Sequence, residues 1–508
     1  MLDTLLTWMV KPRLARLERI RTEPHTVQAE LLQELLRTAR HTDWGRLYGY
    51  ADGLSPRELA QRVPVSSYEQ LYPWIERVLR GEEDVLWPGR VQWFAKSSGT
   101  TNARSKYIPV TAAALEDGHY RAGRDMVAVA QTLYPEAGVL RGKTLALGGS
   151  LGPNTFRPDD AASHIGDVSA IIMQNLPAWA ESRRTPPLEL ALLGEWEEKL
   201  ERMARHVLTE NVACLAGVPT WMIVLLRRVS ELAGGAPITE VWPQLRLFMH
   251  GAVAFGPYRE LFRQLIPDER MRYLEIYNAS EGYLAFQDEP DSQDLLLLLD
   301  HGIYYEFLPV EEMGKEHPRT LTLEEVEVGP VYALLISTNA GLWRYQIGDT
   351  VRFTSLAPYR IRIAGRTKHF LNAFGEEVVV ENAEAAVAAA CAATGALVRD
   401  YTAAPIYFEA GAHSRGGHQW LVEFARPPAQ EQQFVQVLDD TLRQLNSDYD
   451  AKRYRDLALQ PPVLTVAAPG TFERWLARRG KLGGQHKVPR LSNSRELLDE
   501  LLTAAAPS

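Results

Sequence analysis

Apolar positions recur at three- and four-residue spacing through residues 1–90, which predicts a mostly helical start. Leu14, Leu17 and Ile20 fall on one helical face, with Arg13, Arg16 and Arg19 between them. Residues 27–40 (VQAELLQELLRTAR) repeat the pattern, and in LSPRELAQRV (54–63) Ser55 precedes Pro56 as an N-cap. From residue 91 to 360 the period changes. Short β-rich runs at 143–149, 212–218, 245–251, 272–277, 302–309, 331–338 and 343–353 alternate with helical stretches at 188–208 and 219–233. Alternation of this kind predicts an α/β domain built on a central mixed sheet.

The α/β pattern restarts near Ile363–Arg366. An alanine-rich helix (381–394), a strand (396–410), a glycine-rich loop, a second strand (419–425) and a helix (431–447) follow. This predicts a smaller α+β unit of about 140 residues, a normal domain size. The expected organisation is therefore a large domain over 1–364 and a smaller, mobile one over 365–508.

Composition narrows the function classes. Of 508 residues, 46% are hydrophobic and 23% charged, so a large core is affordable. The net charge of −9 argues against nucleic-acid binding, which wants a basic footprint. Two cysteines, Cys214 and Cys391, are too few and too distant for a metal cluster, and fit a reducing cytoplasm. No apolar run approaches the ~20 residues that span a bilayer. At the N-terminus Asp3 comes first and the cations follow, the reverse of a secretory signal. Its basic face reads as the outer face of a packed helix rather than a membrane anchor.

Five runs carry candidate chemistry. Lys96-Ser97-Ser98-Gly99-Thr100-Thr101-Asn102-Ala103-Arg104-Ser105-Lys106 offers hydroxyls, backbone donors and cations to phosphate oxygens, without the spacing of a Walker A loop. Tyr277-Asn278-Ala279-Ser280-Glu281-Gly282 sets a carboxylate at the end of a predicted strand, where Mg²⁺ held mainly by phosphates would need one. In Trp343-Arg344-Tyr345-Gln346-Ile347-Gly348-Asp349, a strand turns at Gly348 and Asp349 offers an acceptor suited to a ribose diol. Gly365-Arg366-Thr367-Lys368 lies at the predicted domain boundary, and Gly483-Gly484-Gln485-His486-Lys487 places a lysine on a glycine-flanked turn. Singly, each also reads as an ordinary polar turn or solvated side chain.

Together their order resembles the adenylate-forming, luciferase-like superfamily. More closely the chain is similar to the bacterial branch of the auxin-responsive-promoter family of acyl acid-amido synthetases. SSGTT (97–101), KYIPVT (106–111), HGAVAFGPYRE (250–260), YNASEG (277–282), WRYQIGD (343–349), NAFGEE (372–377), NSDYDAKR (446–453) and GGQHKVPRL (483–491) carry that resemblance. It implies an ATP- and Mg²⁺-dependent ligase that adenylates a small carboxylic acid. The acyl group then passes to an amino acid or other amine. Ser97, Ser98, Gly99, Thr100, Thr101, Lys106, Tyr277, Asn278, Ala279, Ser280, Asp349 and Arg366 would hold the nucleotide. Glu281 would hold the metal, Lys487 would bridge carboxylate and α-phosphate, and Gly365, Arg366 and Lys368 would form the hinge. Glu377 departs from members with a lysine there, whose role would fall to Lys368 or Lys487. Residues 111–130 would line the acyl pocket. The same first step serves acyl-CoA ligases, and a non-catalytic nucleotide-binding regulator is the alternative of another class.

Overall fold

Ser55 and Ser67 each open a helix in the N-terminal region. The Ser55 hydroxyl accepts from Glu58 N at 3.3 Å and the Glu58 carboxylate accepts from Ser55 N at 2.9 Å, a reciprocal cap for the helix Pro56–Arg62. Ser67 and Gln70 repeat it for Tyr68–Leu79. In this computed structural model the described residues are 2–97, 105–138, 141–253, 255–366, 370–408, 416–453, 459–478 and 488–505. The basic face of the first helix, Leu2–Thr22, is packed rather than free. Arg13 pairs with Asp125 at 3.0 Å, Arg21 with Asp288 at 2.8 Å, and Arg16 with Asp300.

Eleven strands form the main sheet, in the spatial order 303–309, 331–338, 345–356, 359–366, 295–297, 282–286, 272–279, 247–251, 212–217, 143–146 and 184–185. The last five of these pair in parallel; the other neighbours run antiparallel. The mixed sheet expected from the alternation is thus present. A separate four-stranded sheet contains Trp93–Ser97 and Lys106–Val110 as an antiparallel pair.

Several boundaries differ from the pattern. Residues 188–208 form two helices, Leu188–Ala191 and Trp196–Val207, because Gly194 and its neighbours turn between them. The strand expected to turn at Gly348 continues to Leu356, with Gly348 taking φ +99° as a local kink. Tyr359–Arg366 completes the large sheet, so Gly365 and Arg366 still pair with Thr350 and Asp349. The region 111–130 begins as a π-helix, Ala114–Tyr120, before the α-helix Arg121–Leu133.

The smaller C-terminal unit pairs Leu397–Ile406, Gly417–Arg426 and Val463–Ala467 in one sheet, with helices Val380–Thr394 and Glu431–Leu445 packed together. Its core is continuous with that of the large domain: Met222, Phe248 and Tyr258 share one apolar cluster with Phe374, Trp420 and Tyr449. The turn 372–377 lies at that junction. Ala373 O accepts from the Tyr258 hydroxyl, and Phe374 O accepts from Thr220 Oγ1 at 3.3 Å.

Candidate active site

The predicted phosphate loop joins the strands Trp93–Ser97 and Lys106–Val110, with Ser97 paired to Lys106 at its base. Ser98, Gly99, Thr100 and Thr101 lie outside the described residues, as do Lys368 and Lys487. Of Arg366 only the backbone is described.

Lys106 is 8% exposed. Its ammonium donates to the Tyr345 hydroxyl at 3.4 Å and lies 5.8 Å from the Tyr68 ring centroid. The Tyr345 hydroxyl in turn donates to Glu281 Oε1 at 3.4 Å. Burial, reinforced by the Glu281 charge, holds the Tyr345 phenol well above its ordinary pKa, so it remains a donor. A cation, a phenol and a carboxylate therefore stand in a row at the foot of the phosphate hairpin.

Glu281 occupies a tight turn rather than an open strand end. Ser280 and Glu281 connect the antiparallel strands Arg272–Ala279 and Gly282–Phe286, with Ala279 paired to Gly282. Gly282 has φ +155°, and a Cβ there would come 2.7 Å from Ile303 Cδ1. Only glycine closes this turn without moving the Ile303 side chain.

Asp349 faces the same hairpin. The Tyr277 hydroxyl donates to Asp349 Oδ2 at 2.5 Å. The strands bearing Tyr277 and Asp349 are four places apart in the sheet order. A flat sheet would separate them by about 19 Å, at ~4.8 Å per strand. The sheet therefore curls, and the ends of 345–356 and 359–366 run past the short strand Leu295–Leu297 towards the hairpin. Arg344, with φ 42°, pins the near end. It donates to both Glu306 oxygens, at 2.9 Å each, and to Val63 O at 2.6 Å, holding Tyr345 at its post.

His119 is buried beside this cluster with its side chain against that of Asn278. Burial, opposed by Asn278, pushes the His119 imidazole down to about 4, so it is neutral at physiological pH. His119 lies on the π-helical turn, a feature frequent at functional sites.

Of the residues singled out from the sequence, Lys106, Tyr277, Glu281 and Asp349 are linked to one another or to Tyr345 within this cluster. Ala279 and Ser280 bracket the Glu281 turn through the backbone. Arg344 and Tyr345 lay in the run 343–349, and His119 in the stretch 111–130, without any of the three being given a role of its own. A cavity of about 600 Å³ lies at the opposite end of the strand Arg272–Ala279, lined by Tyr134, Arg259, Arg263, Arg272 and Tyr273, and is separate from this cluster.

The GH3 family N-terminal domain matches residues 13–271, the GH3 family central domain 296–366 and the GH3 family C-terminal domain 381–496. The chain belongs to the GH3 family. Among curated relatives, an indole-3-acetic acid-amido synthetase, GH3.4 of Arabidopsis thaliana, is 25% identical and covers 96% of this chain and 93% of its own. Another, GH3.8 of Oryza sativa subsp. indica, is 24% identical over 94% of this chain and 90% of its own. The GH3.15 acyl acid amido synthetase in complex with 2,4-DB shares the fold at TM-score 0.61 and 18% identity, covering 98% of this chain and 96% of its own. A 2-hydroxyisobutyryl-CoA ligase shares it at TM-score 0.55 and 14% identity, over 96% of this chain and 94% of its own.

Proposed function

We propose that this protein is an ATP-dependent acyl acid-amido synthetase of the family's bacterial branch. It converts a small carboxylic acid to its acyl-adenylate and transfers the acyl group to an amino acid or another amine, releasing AMP and pyrophosphate. The observation that carries this reading is the convergence of Lys106, Tyr345 and Glu281 with Tyr277 and Asp349 at the foot of the phosphate hairpin. Family membership supports it, as does the relatives' description as amido synthetases.

The chemistry brings anions together, so positioning and cations do most of the work. Ser97, Ser98, Gly99, Thr100 and Thr101 hold the phosphates, and Lys106 fixes the foot of their loop. Asp349, steadied by Tyr277, accepts from the ribose hydroxyls. Lys487 bridges the acid and the α-phosphate. Among the described residues no group of three or more acids, histidines or cysteines could cage a metal. One carboxylate is what Mg²⁺ needs when phosphates and water fill its other positions, and Glu281 fits that description. When bound, the ion would neutralise charge on the departing pyrophosphate. Gly365, Arg366 and Lys368 form the hinge on which the unit 365–508 rotates between half-reactions. Both cysteines are free thiols, which supports a cytoplasmic setting. Among the described residues no helix is long and apolar enough to cross a membrane.

The test is ATP–pyrophosphate exchange with a panel of carboxylic acids, followed by mass spectrometry after adding amino acids. Carboxylate-dependent exchange and an amide product are expected. ADP in place of AMP sinks the adenylation reading, and a thioester formed with CoA in place of an amide replaces it with acyl-CoA ligation.

A further inference from the structure

We propose that Lys452 is a substrate contact: its ammonium takes an anionic oxygen of the bound substrates. The oxygen comes from the α-phosphate of the acyl-adenylate or from the carboxylate of the acceptor amino acid. The proposal rests on the adenylate-forming reading above and adds a residue to it.

Lys452 lies on the short helix Ser447–Arg453, which is fastened at both ends. At its start, Asn446 Oδ1 accepts from Asp448 N and Tyr449 N, both at 2.9 Å. The same side chain's Nδ2 donates to Glu376 O at 2.9 Å and Glu377 O at 3.0 Å. At its end, Arg453 donates to Asp439 Oδ1 and Oδ2 at 2.7 and 2.6 Å and to Leu459 O at 2.9 Å. The helix is thereby locked to the turn 372–377, and Lys452 is delivered beside that turn.

The ammonium is held by a ring and a glycine. Lys452 Nζ lies 4.1 Å from the Trp221 ring centroid. Gly375, at φ +85°, leaves room for it; a Cβ there would stand 3.3 Å from Lys452 Cε and 3.6 Å from Nζ. Trp221 opens the helix Pro219–Leu232, directly after the parallel strand Val212–Gly217. That places Lys452 at the carboxyl end of the parallel strands, the edge at which open α/β sheets bind ligands.

Four carboxylates surround it: Asp448 on its own helix, Asp167 of the large domain, and Glu376 and Glu377 of the turn. Among the described residues none is within ion-pairing distance of Nζ, and two are engaged elsewhere. Glu376 accepts from Ala373 N at 3.1 Å and Phe374 N at 2.6 Å and pairs with His418 at 2.7 Å. Asp167 accepts from Ser150 N at 2.6 Å. Burial draws the Lys452 pKa below that of an ordinary lysine, and the carboxylates only oppose this. A desolvated ammonium on an aromatic face keeps its donors for a ligand and gains most from an incoming anion. Asp167 follows Gly166, which pairs with Ala95 two residues before Ser97, so this ammonium stands on the side where the phosphate hairpin begins.

The test uses the full-length enzyme with Lys452→Met, which keeps the stem on Trp221, and Lys452→Arg, which keeps the charge. Three assays are run: ATP–pyrophosphate exchange, aminolysis of presynthesised acyl-adenylate by the amino acid, and the same aminolysis by its carboxamide. A lost charged hydrogen bond predicts a change of about 10- to 100-fold in Lys452→Met, recovered largely in Lys452→Arg. A phosphate partner shows as slower exchange, with amino acid and carboxamide affected alike. A carboxylate partner shows as a raised KM for the amino acid alone. Lys452→Met within twofold of wild type in all three assays overturns the proposal. So does a loss that arginine does not recover and that follows a lowered melting temperature. Wild-type enzyme that forms no AMP takes down the functional reading as well; wild-type turnover with an indifferent Lys452→Met takes down the Lys452 contact alone.

Discussion

The Tyr277 hydroxyl donates to Asp349 Oδ2 at 2.5 Å across a sheet that must curl to bring the two together. Tyr277 thus orients the carboxylate that the proposed function sets against the ribose hydroxyls. Asp349→Ala is expected to raise the KM for ATP about 10- to 100-fold, the worth of charged hydrogen bonds, with the KM for the acid little changed. Tyr277→Phe leaves the carboxylate in place but less fixed and is expected to cost less than Asp349→Ala. Pyrophosphate release at varied ATP measures both; equal effects on the ATP and acid KM values would remove Asp349 from the nucleotide site.

Local signals carried much of the architecture. Ser55-Pro56 marked a helix start with its reciprocal glutamate at Glu58, and the apolar run 331–338 became the strand Val331–Thr338. The site was legible as pieces. The runs 97–106, 277–282 and 343–349 held its chemical groups, but periodicity says nothing about the sheet curl that joins Tyr277 to Asp349, or about the packing of a second sheet that sets Lys106 beside Tyr345. Tyr345 looked like any strand aromatic, because its value lies in standing between a cation and a carboxylate. Lys452 lay in the run NSDYDAKR (446–453) that carries the resemblance, but nothing there gave it a role, since its environment is built from Trp221, Gly375 and Asp167, distant positions that only tertiary packing assembles.

Glu281 stands at a two-residue turn and accepts a hydrogen bond from the Tyr345 phenol. Glu281→Gln keeps the hydrogen bond and removes the charge, so it separates metal binding from turn structure. Exchange activity is expected to fall about 10²-fold at low Mg²⁺, the scale of removing one electrostatic partner, with partial recovery at high Mg²⁺. A Mg²⁺ titration superimposable on that of wild type would show that Glu281 serves the turn alone.

Lys487 is expected to act in adenylation far more than in amide formation. An ammonium between the carboxylate and the α-phosphate offsets repulsion that peaks as the new bond forms, so Lys487→Ala should slow that step about 10²- to 10³-fold. Once the adenylate exists the charge is no longer needed. Presynthesised acyl-adenylate plus amine should therefore react at near-normal rates. Equal loss in both assays would assign Lys487 to folding or to both steps.

His301 sits in a buried, pH-dependent charge cluster to which the first helix is fastened. It is fully buried, with Nε2 3.1 Å from Asp125 Oδ2 and Nδ1 2.9 Å from Asp300 Oδ1. Arg13 and Arg16 reach the same two acids from the first helix, and Arg121 donates to Asp300 O at 2.9 Å. Burial disfavours the imidazolium, but its bonds to Asp125 and Asp300 and their charges win, so the His301 pKa is raised. Burial would raise the Asp300 pKa, yet His301 and Arg16 bring it down to about 2. A raised histidine stabilises fully below its unfolded pKa of about 6.5, and that contribution is lost as pH climbs through the folded value. A lowered aspartate stabilises above about 3.9 and loses its contribution as pH falls through the folded value. Stability should therefore plateau between roughly pH 4 and 6.5 and decline on the alkaline side by about 1.4 kcal/mol for each unit by which His301 is raised. His301→Gln should lower the melting temperature at pH 6 and flatten its fall between pH 6.5 and 8.5. Thermal melts of both proteins across that range decide the matter; the same alkaline slope in the variant would assign the titration to another group.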